Sequence, residues 1–412
     1  MNAILPPATL GLMGGGQLGR MTALAARSAG YRIHALDPDP NCAIRPLVED
    51  FITAGWDDAP AAAALAKSSQ VVTFEIEKIS LASLEAASRY APVRPGFAVL
   101  ELVQNRLRQK RWLSRAGFPV GPFLPVSKLE DMQKACQEFG SCFVKVAEGG
   151  YDGRGQIRVD SLEQANRAWN YLGELECVAE KGLDLEYEIS VLVARRSSGE
   201  TCIYPPSMNH HENHILVWSV IPAPIPEGIA LQAQEIAREI AVALRLEGIL
   251  VIEMFVTRQG QLLVNELAPR PHNSYHASER GCVTGQFEQL VRAACDLPLG
   301  SAEVIRPAAI VNLLGELWAG PSPLDLAAAL RIAEVRLHLY DKAPRPGRKM
   351  GHISATGSTP QQALRSALKA KVALHGPVDS PFGPAAVLGD DAGAYWPAKR
   401  RGEGAQCVAA NR

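Results

Sequence analysis

Two glutamates interrupt two strongly apolar runs, and any fold open to this chain must provide for them. Leu250–Val256 (Leu-Val-Ile-Glu-Met-Phe-Val) and Gln261–Leu267 (Gln-Leu-Leu-Val-Asn-Glu-Leu) are joined by Thr257-Arg258-Gln259-Gly260. Two β-prone runs around a short polar turn read as an antiparallel hairpin. A four-residue turn pairs Val256 with Gln261, so Glu253 faces Val264 and Glu266 lies diagonal to Glu253 on the same face, Cα atoms roughly 7–8 Å apart. Exposed acids on a surface hairpin are the plain alternative, but the apolar neighbours argue for burial, and buried unpaired carboxylates are costly. A shared divalent cation removes that cost, and magnesium needs few protein carboxylates when substrate phosphates complete its shell. Glu253 and Glu266 are therefore candidate ligands for magnesium (or manganese).

The next constraint is a lysine-bearing strand that runs into glycine. Phe143–Val146 and Gln156–Val159 read as strands around Gly149-Gly150-Tyr151-Asp152-Gly153-Arg154-Gly155, with Lys145 at the entry. Lysine supplies a point charge for phosphate and glycines let backbone amides approach it, which points to a flap over a triphosphate. A second glycine loop, Gly14-Gly15-Gly16-Gln17-Leu18-Gly19, stands between a strand (Thr9–Met13) and a helix (Gln17–Ala29), and Asp37 ends the following strand (Tyr31–Leu36). That pattern fits a dinucleotide fingerprint and equally a plain tight turn, so a nicotinamide dehydrogenase stays open on this motif alone.

Weaker signals complete the set. Glu180-Lys181-Gly182-Leu183 could offer an edge to adenine, with Glu188 placed for ribose hydroxyls. Arg270, His272 and Asn273 follow the glutamate hairpin in a stretch stiffened by Pro269 and Pro271, a group suited to a small anion. Lys342, Arg345, Arg348 and Lys349 put four cations in eight residues, either a solvated turn or a phosphate site. His210, His211 and His214 lack the spacing of a zinc site.

Strands alternating with helices over the first hundred residues, including Val71–Ile76, imply a parallel sheet. A long helix is expected over Val99–Arg115, antiparallel strands over Glu186–Arg195, Thr201–Tyr204 and Ile215–Ile221, helices over Leu162–Leu172, Ile229–Leu244 and near Val283–Ala294, and a small αβ segment over Ala308–Leu374. The pattern dissolves from about Gly376, which predicts a tail without order. At 412 residues, two or three domains are expected. Charges nearly balance, 42 Lys+Arg against 43 Asp+Glu, which argues against a broad nucleic-acid surface. No run of about 18 apolar residues offers a membrane span. Pro6-Pro7 and the lack of a basic residue before Arg20 argue against a secretory signal. Eight cysteines without a CxxC pair read as reduced, mostly buried thiols in a cytoplasmic protein.

Together the motifs GGGQLGRM (14–21), TFEIE (73–77), QNRLRQK (104–110), GGYDGRGQ (149–156), NELAPRPHNSYH (265–276) and RPGRKMGHI (345–353) make the chain resemble the ATP-grasp superfamily and, within it, the 5-(carboxyamino)imidazole ribonucleotide synthases of purine biosynthesis. The resemblance implies an α/β fold with an N-terminal parallel-sheet domain (1–117), an ATP-grasp flap subdomain (118–183), a catalytic subdomain (184–300), a C-terminal subdomain (301–375) and the tail (376–412). It implies a C–N bond-forming ligase that uses ATP and bicarbonate, through carboxyphosphate, to carboxylate aminoimidazole ribonucleotide. By position, Arg106, Lys145, Gly150, Tyr151, Asp152, Gly153, Arg154, Gly155 and Gln156 would hold ATP phosphates. Glu180, Lys181 and Leu183 would meet adenine, Glu188 the ribose, and His211 the nucleotide site, while Asn265 and Glu266 close it. Glu253 and Glu266 would hold the metal. Glu75, Tyr151, Asp152, Arg154, Lys342 and Arg348 would take the aminoimidazole nucleotide. Arg270, His272 and Asn273, with Asp152 and Arg154, would serve bicarbonate chemistry. A cytoplasmic homodimer without nucleic-acid or membrane partners is implied. A formate-using glycinamide ribonucleotide transformylase, and a nucleotide sensor without turnover, remain alternatives. Three positions depart from the family pattern: Ile76-Glu77-Lys78-Ile79 after TFE, Glu148 before the flap, and Lys181 after Glu180.

Overall fold

The computed structural model describes residues 3–150, 155–320 and 322–375. Tyr151, Asp152, Gly153 and Arg154 of the flap, and the tail from residue 376, lie outside the described residues.

Three sheets organise the chain. Strands β1 (Thr9–Met13), β2 (Arg32–Asp37), β3 (Asp50–Thr53) and β4 (Val71–Phe74) form a parallel sheet in the order β3-β2-β1-β4. Every residue of β1 and β4 is buried, as a parallel sheet covered on both faces requires. Strands β5 (Phe123–Val126), β6 (Cys142–Val146), β7 (Gln156–Val159) and β8 (Cys177–Lys181) form an antiparallel sheet ordered β5-β8-β6-β7. The third sheet has nine strands: β9 (Leu185–Arg195), β10 (Thr201–Ile203), β11 (Ser207–Glu212), β12 (Ile215–Ile221), β13 (Gly248–Thr257), β14 (Leu262–Ala268), β15 (Ala308–Leu314), β16 (Val335–Leu339) and β17 (Lys349–Thr356). β11 was not anticipated, because Ser207-Met-Asn-His-His-Glu212 carries little apolar signal.

Alternation along β13 sorts its side chains between two cores. Leu250, Ile252 and Met254 pack with Ile236 and Ile240 of the Glu227–Ala243 helix, while Ile249 and Val251 pack on the opposite face with Tyr275 and Leu290. Glu253 belongs to this second face. The hairpin register differs from the expected one. Val256 pairs with Leu262 and Met254 with Val264, then a bulge intervenes and Glu253 pairs directly with Glu266. Without the bulge Glu266 would follow Leu262 and Val264 into the apolar core. The extra residue, Asn265, returns Leu267 to that core and turns Glu266 to the face of Glu253. The carboxylates are thus opposite neighbours, not diagonal ones.

The helix expected over Val99–Arg115 is broken. Phe97–Gln104 and Arg106–Arg115 are separate helices meeting at Asn105, which is extended (φ −123, ψ 114). Asn105 Oδ1 accepts from Arg108 N at 2.9 Å, its Nδ2 donates to Glu148 Oε1 at 3.0 Å, and Arg106 N donates to Ala147 O at 2.8 Å. Asparagine offers the backbone an alternative to the helical ladder, and here tertiary partners reward it. Glu148, just before the flap, and Glu176, at 3.4 Å, both accept from Asn105 at the break.

Seven cysteines are free among the described residues, six of them buried, and no described helix is long and apolar enough to cross a membrane. A pile of rings ties the C-terminal strands to the 272–276 loop. Phe287 stacks on His276 (5.6 Å between centroids), His276 on His352 (4.6 Å) and His352 on His338 (4.4 Å). Tyr340 Oη meets His352 Nδ1 at 2.5 Å. Burial lowers the pKa of all three imidazoles, to about 3 for His276 and about 4 for His338, His352 lying well below its ordinary value. Because the folded pKa values lie below the unfolded value near 6.5, the unfolded chain binds more protons, and stability held above pH 6.5 is lost as pH falls toward 4. Urea midpoints between pH 7.5 and 4.5 should fall, and His338→Gln should flatten that slope. An equal slope in the variant would place the acid sensitivity elsewhere.

Candidate active site

The paired carboxylates anchor the site. Across β9, β13 and β14 three acids share one face: Glu188, Glu253 opposite Ser190, and Glu266 opposite Glu253. Burial and then the charge of Glu266 push Glu253 up to about 7. Burial acts the same way on Glu266, but Arg106 beside it, with Lys145 and Arg270 further off, together outweigh burial and hold it below the ordinary carboxylate range. Arg106 Nη1 donates to Glu266 Oε2, and its Nη2 to Gly150 O at 3.2 Å, linking the hairpin to the base of the flap. His272 Nε2 lies 3.3 Å from Glu253 Oε1, and Asn265 Nδ2 donates to Glu253 Oε2 at 3.4 Å. Two like charges this close favour a cation between them. Among the described residues no group of three or more His, Cys, Asp or Glu forms a metal cage. A magnesium ion fits such a sparse donor set, since phosphate oxygens and water complete its shell.

The loop after β14 is held by its backbone. Gln286 accepts from His272 N at 2.9 Å and donates to His272 O at 3.0 Å, while Ser274 Oγ meets His272 Nδ1 at 2.9 Å. Burial and the nearby Arg270 and Lys349 cations drive His272 well below its ordinary pKa, so its ring is neutral. Arg270 Nε lies 2.7 Å from Glu77 Oε1, which ties this loop to the segment after β4. Glu77 itself was not singled out from the motif TFEIE, although an acid three residues past a buried strand end is a legible signal. Asn273 Oδ1 accepts from Gln17 Nε2 at 2.8 Å, and Gln17 Oε1 accepts from Lys342 Nζ at 3.1 Å. Gln17, an unpredicted residue, therefore connects the expected anion group to the expected substrate-phosphate lysine. Arg348 lies half-buried nearby and donates to Ala343 O at 3.0 Å.

The first glycine loop is already filled. Gly15 N donates to Asp37 Oδ2 at 2.7 Å, and Gly16 N and Gly19 N donate to Glu75, the latter at 2.5 Å. Amides that a dinucleotide phosphate would need are taken by two carboxylates, and a phosphate there would meet negative charge. The dehydrogenase reading is set aside on that ground.

The nucleotide side is built on β6 and β8. Lys145 sits opposite Val178 and Glu180 opposite Phe143, so lysine and glutamate are diagonal on one face. Lys145 Nζ and Lys110 Nζ lie 3.2 and 3.3 Å from Glu180 Oε2. Burial alone would raise Glu180, but Lys110 and Lys145 outweigh it and hold it at about 2. Lys181 is exposed and Leu183 half-buried beside Gly121. His211 Nδ1 lies 2.9 Å from Glu188 Oε2, turned there by a bulge between His210 and His211. Gln156 begins β7 and Gly155 (φ +72) precedes it, Gly155 O accepting from Val146 N at 2.8 Å. Among the described residues, contacts join Arg106 to Glu266 and Gly150, Glu253 to His272 and Asn265, Lys145 to Glu180, Glu188 to His211, and Asn273 through Gln17 to Lys342.

The chain matches the ATP-grasp domain over residues 111–287, the ribonucleotide synthetase preATP-grasp domain over 7–104 and the phosphoribosylaminoimidazole carboxylase C-terminal domain over 308–366. It is 38% identical over 354 residues to N5-carboxyaminoimidazole ribonucleotide synthase of Bacillus subtilis, covering 85% of this chain and 92% of the relative. An ADP complex of N5-carboxyaminoimidazole ribonucleotide synthetase superposes with a TM-score of 0.85 at 39% identity, covering 90% of this chain and 98% of that one. The Aspergillus clavatus N5-carboxyaminoimidazole synthase, in complex with ADP and 5-aminoimidazole ribonucleotide, gives 0.81 at 28% identity, covering 89% and 98%.

The filled glycine cup yields a stability test. Gly16 N and Gly19 N use different oxygens of Glu75, so Glu75→Gln keeps an acceptor for one amide and turns an NH2 donor on the other, which should cost about 1.5–3 kcal/mol, read as a lower thermal midpoint. An unchanged midpoint would mean that the amides find other partners.

Proposed function

The chain belongs to the N5-carboxyaminoimidazole ribonucleotide synthase family, and from that premise we propose how its residues divide the work. The enzyme is an ATP-grasp ligase that carboxylates 5-aminoimidazole ribonucleotide at the expense of ATP, giving N5-carboxyaminoimidazole ribonucleotide in purine biosynthesis. In our reading bicarbonate attacks the γ-phosphorus of ATP and forms carboxyphosphate, with ADP leaving. The exocyclic amine of the aminoimidazole then takes the carboxyl group and phosphate departs.

The observation that carries the reading is the Glu253–Glu266 pair, direct cross-strand neighbours beside Arg106 and His272. Glu253 and Glu266, with Asn265 alongside, would hold magnesium or manganese, which supplies neutralisation of the transferred phosphoryl group. Arg106, Lys145 and the flap residues Gly150 to Gln156, including Tyr151, Asp152, Gly153 and Arg154, would hold the phosphates. Glu180, Lys181 and Leu183 would meet adenine, with Glu188 and His211 at the ribose side. Arg270, His272 and Asn273 would surround bicarbonate and carboxyphosphate; a neutral imidazole can accept or donate one proton there, and the Arg270 cation stabilises developing anionic oxygens. Glu75, Lys342 and Arg348, with Tyr151, Asp152 and Arg154, would bind the aminoimidazole nucleotide. Burial lowers Lys342 to about 8, so it remains largely cationic at neutral pH for a phosphate. Carboxyphosphate hydrolyses readily, and a closing flap would exclude water. We place the enzyme in the cytoplasm as a homodimer, which sedimentation can check.

ADP release with magnesium-ATP should need both 5-aminoimidazole ribonucleotide and bicarbonate. Turnover indifferent to the ribonucleotide, or supported by formate instead, would remove the substrate assignment. Glu253→Gln should lower kcat by more than the roughly 10–100-fold that loss of an outer-shell partner costs, and should raise the magnesium concentration needed for half-maximal rate.

A further inference from the structure

Lys110 has no place in the scheme above, yet it is the only lysine buried among the described residues, 4% exposed. Long cationic side chains are almost never buried without a partner. It stands one helical turn beyond Arg106 in the Arg106–Arg115 helix, on the same face. That face is anchored at several points. Arg106 meets Glu266, Gln109 Oε1 accepts from Leu267 N at 3.1 Å, and Asn105 caps the helix through Arg108 N. From this fixed platform Lys110 reaches the same carboxylate oxygen of Glu180 that Lys145 reaches.

Two lysines on one glutamate leave a buried excess of one positive charge. Lys145 is at the end of β6 that leads into the flap, where a phosphate can claim it. If Lys145 were the sole partner of Glu180, binding phosphate would leave that carboxylate buried and unpaired. Lys110, on a helix pinned to β14, has no such second task.

We propose that Lys110 is a positioning residue for base selection: it keeps the Glu180 carboxylate aimed at the adenine edge while Lys145 turns to the nucleotide's phosphates. The proposal rests on the reading that Glu180 meets adenine. A fixed carboxylate accepts from the exocyclic amine of adenine, whereas guanine presents a carbonyl oxygen at that position and is repelled. Buried polar groups left unmatched by the wrong ligand give strong discrimination.

The test measures kcat, the KM for ATP, and the ratio of kcat/KM for ATP over GTP in Lys110→Met, Lys110→Arg and Glu180→Gln, with thermal melts alongside. Lys110→Met should raise the KM for ATP about tenfold or more, the factor expected for loss of a charge-assisted hydrogen bond, and should narrow the ATP:GTP ratio. Its kcat at saturating ATP should stay within roughly threefold, as for an interaction felt in binding. Lys110→Arg should recover most of the preference. An unchanged ratio in Lys110→Met, or a fall in kcat without a change in KM, overturns the role of Lys110. If Glu180→Gln leaves the ratio unchanged, the adenine reading falls and the proposal with it. If only Lys110→Met leaves it unchanged, the adenine reading stands and the proposal alone falls. Should Lys110→Met not fold, Lys110→Gln is read in the same way.

Discussion

Two carboxylates facing each other across adjacent strands are an unstable arrangement unless something positive is near, and much of the architecture answers that demand. Glu253 and Glu266 are direct neighbours in the ladder. Arg106 brings its cation to Glu266 from a helix, while the neutral ring of His272 on a loop and the Asn265 amide on β14 stand against Glu253. The helix reaches them because Asn105 breaks what would otherwise be a longer rod and Glu148 and Glu176 secure the break. The loop reaches them because Gln286 fixes the backbone of His272 on both sides. Each of these contacts joins separate stretches of chain, so the acid pair is held from a helix, a loop and two strands at once.

Much of this was legible in the residues. Lys145, Glu253 and Glu266 stand out because a charge inside an apolar strand demands a reason, while Glu180, at the end of its run, is a weaker signal. The parallel sheet follows from the alternation of short buried runs with helices. What could not be read depends on encounters between distant segments. The bulge at Asn265 is chosen by the competition between Leu267 and Glu266 for the core, which local alternation does not weigh. Asn105 sits in a run of good helix formers, and its contacts with Glu148, Glu176 and Arg108, with the Arg106 N–Ala147 O bond beside them, favour the extended backbone. Gln17, Glu77 and Lys110 acquire meaning from partners 325, 193 and 70 residues away, respectively Lys342, Arg270 and Glu180. A residue whose role is to hold another residue leaves little mark on its own neighbourhood in sequence.

The two glycine loops show how similar patterns receive opposite charges. In the first, Asp37 and Glu75 turn their carboxylates onto the amides, so the loop stiffens the parallel sheet's edge and delivers Gln17 to the cleft. In the second, Lys145 guards the entry and the glycines follow. The distinction lies in what reaches the loop from elsewhere in the fold. Glu75 arrives from β4, one strand over, which no inspection of the glycines alone reveals.

The single extra residue in β14 has a consequence for how this protein tolerates change in length. Surface connections such as the Thr257–Gly260 turn can gain or lose residues with modest effect, because the strands on either side keep their phase. Asn265 is different: excising it would leave every neighbouring side chain chemically intact yet rotate Glu266 into the aliphatic interior and swing Leu267 out to the cleft. The hairpin's letters and its tip can change without moving the acids, but the count between Val264 and Glu266 cannot, because one residue fewer exchanges the faces of Glu266 and Leu267.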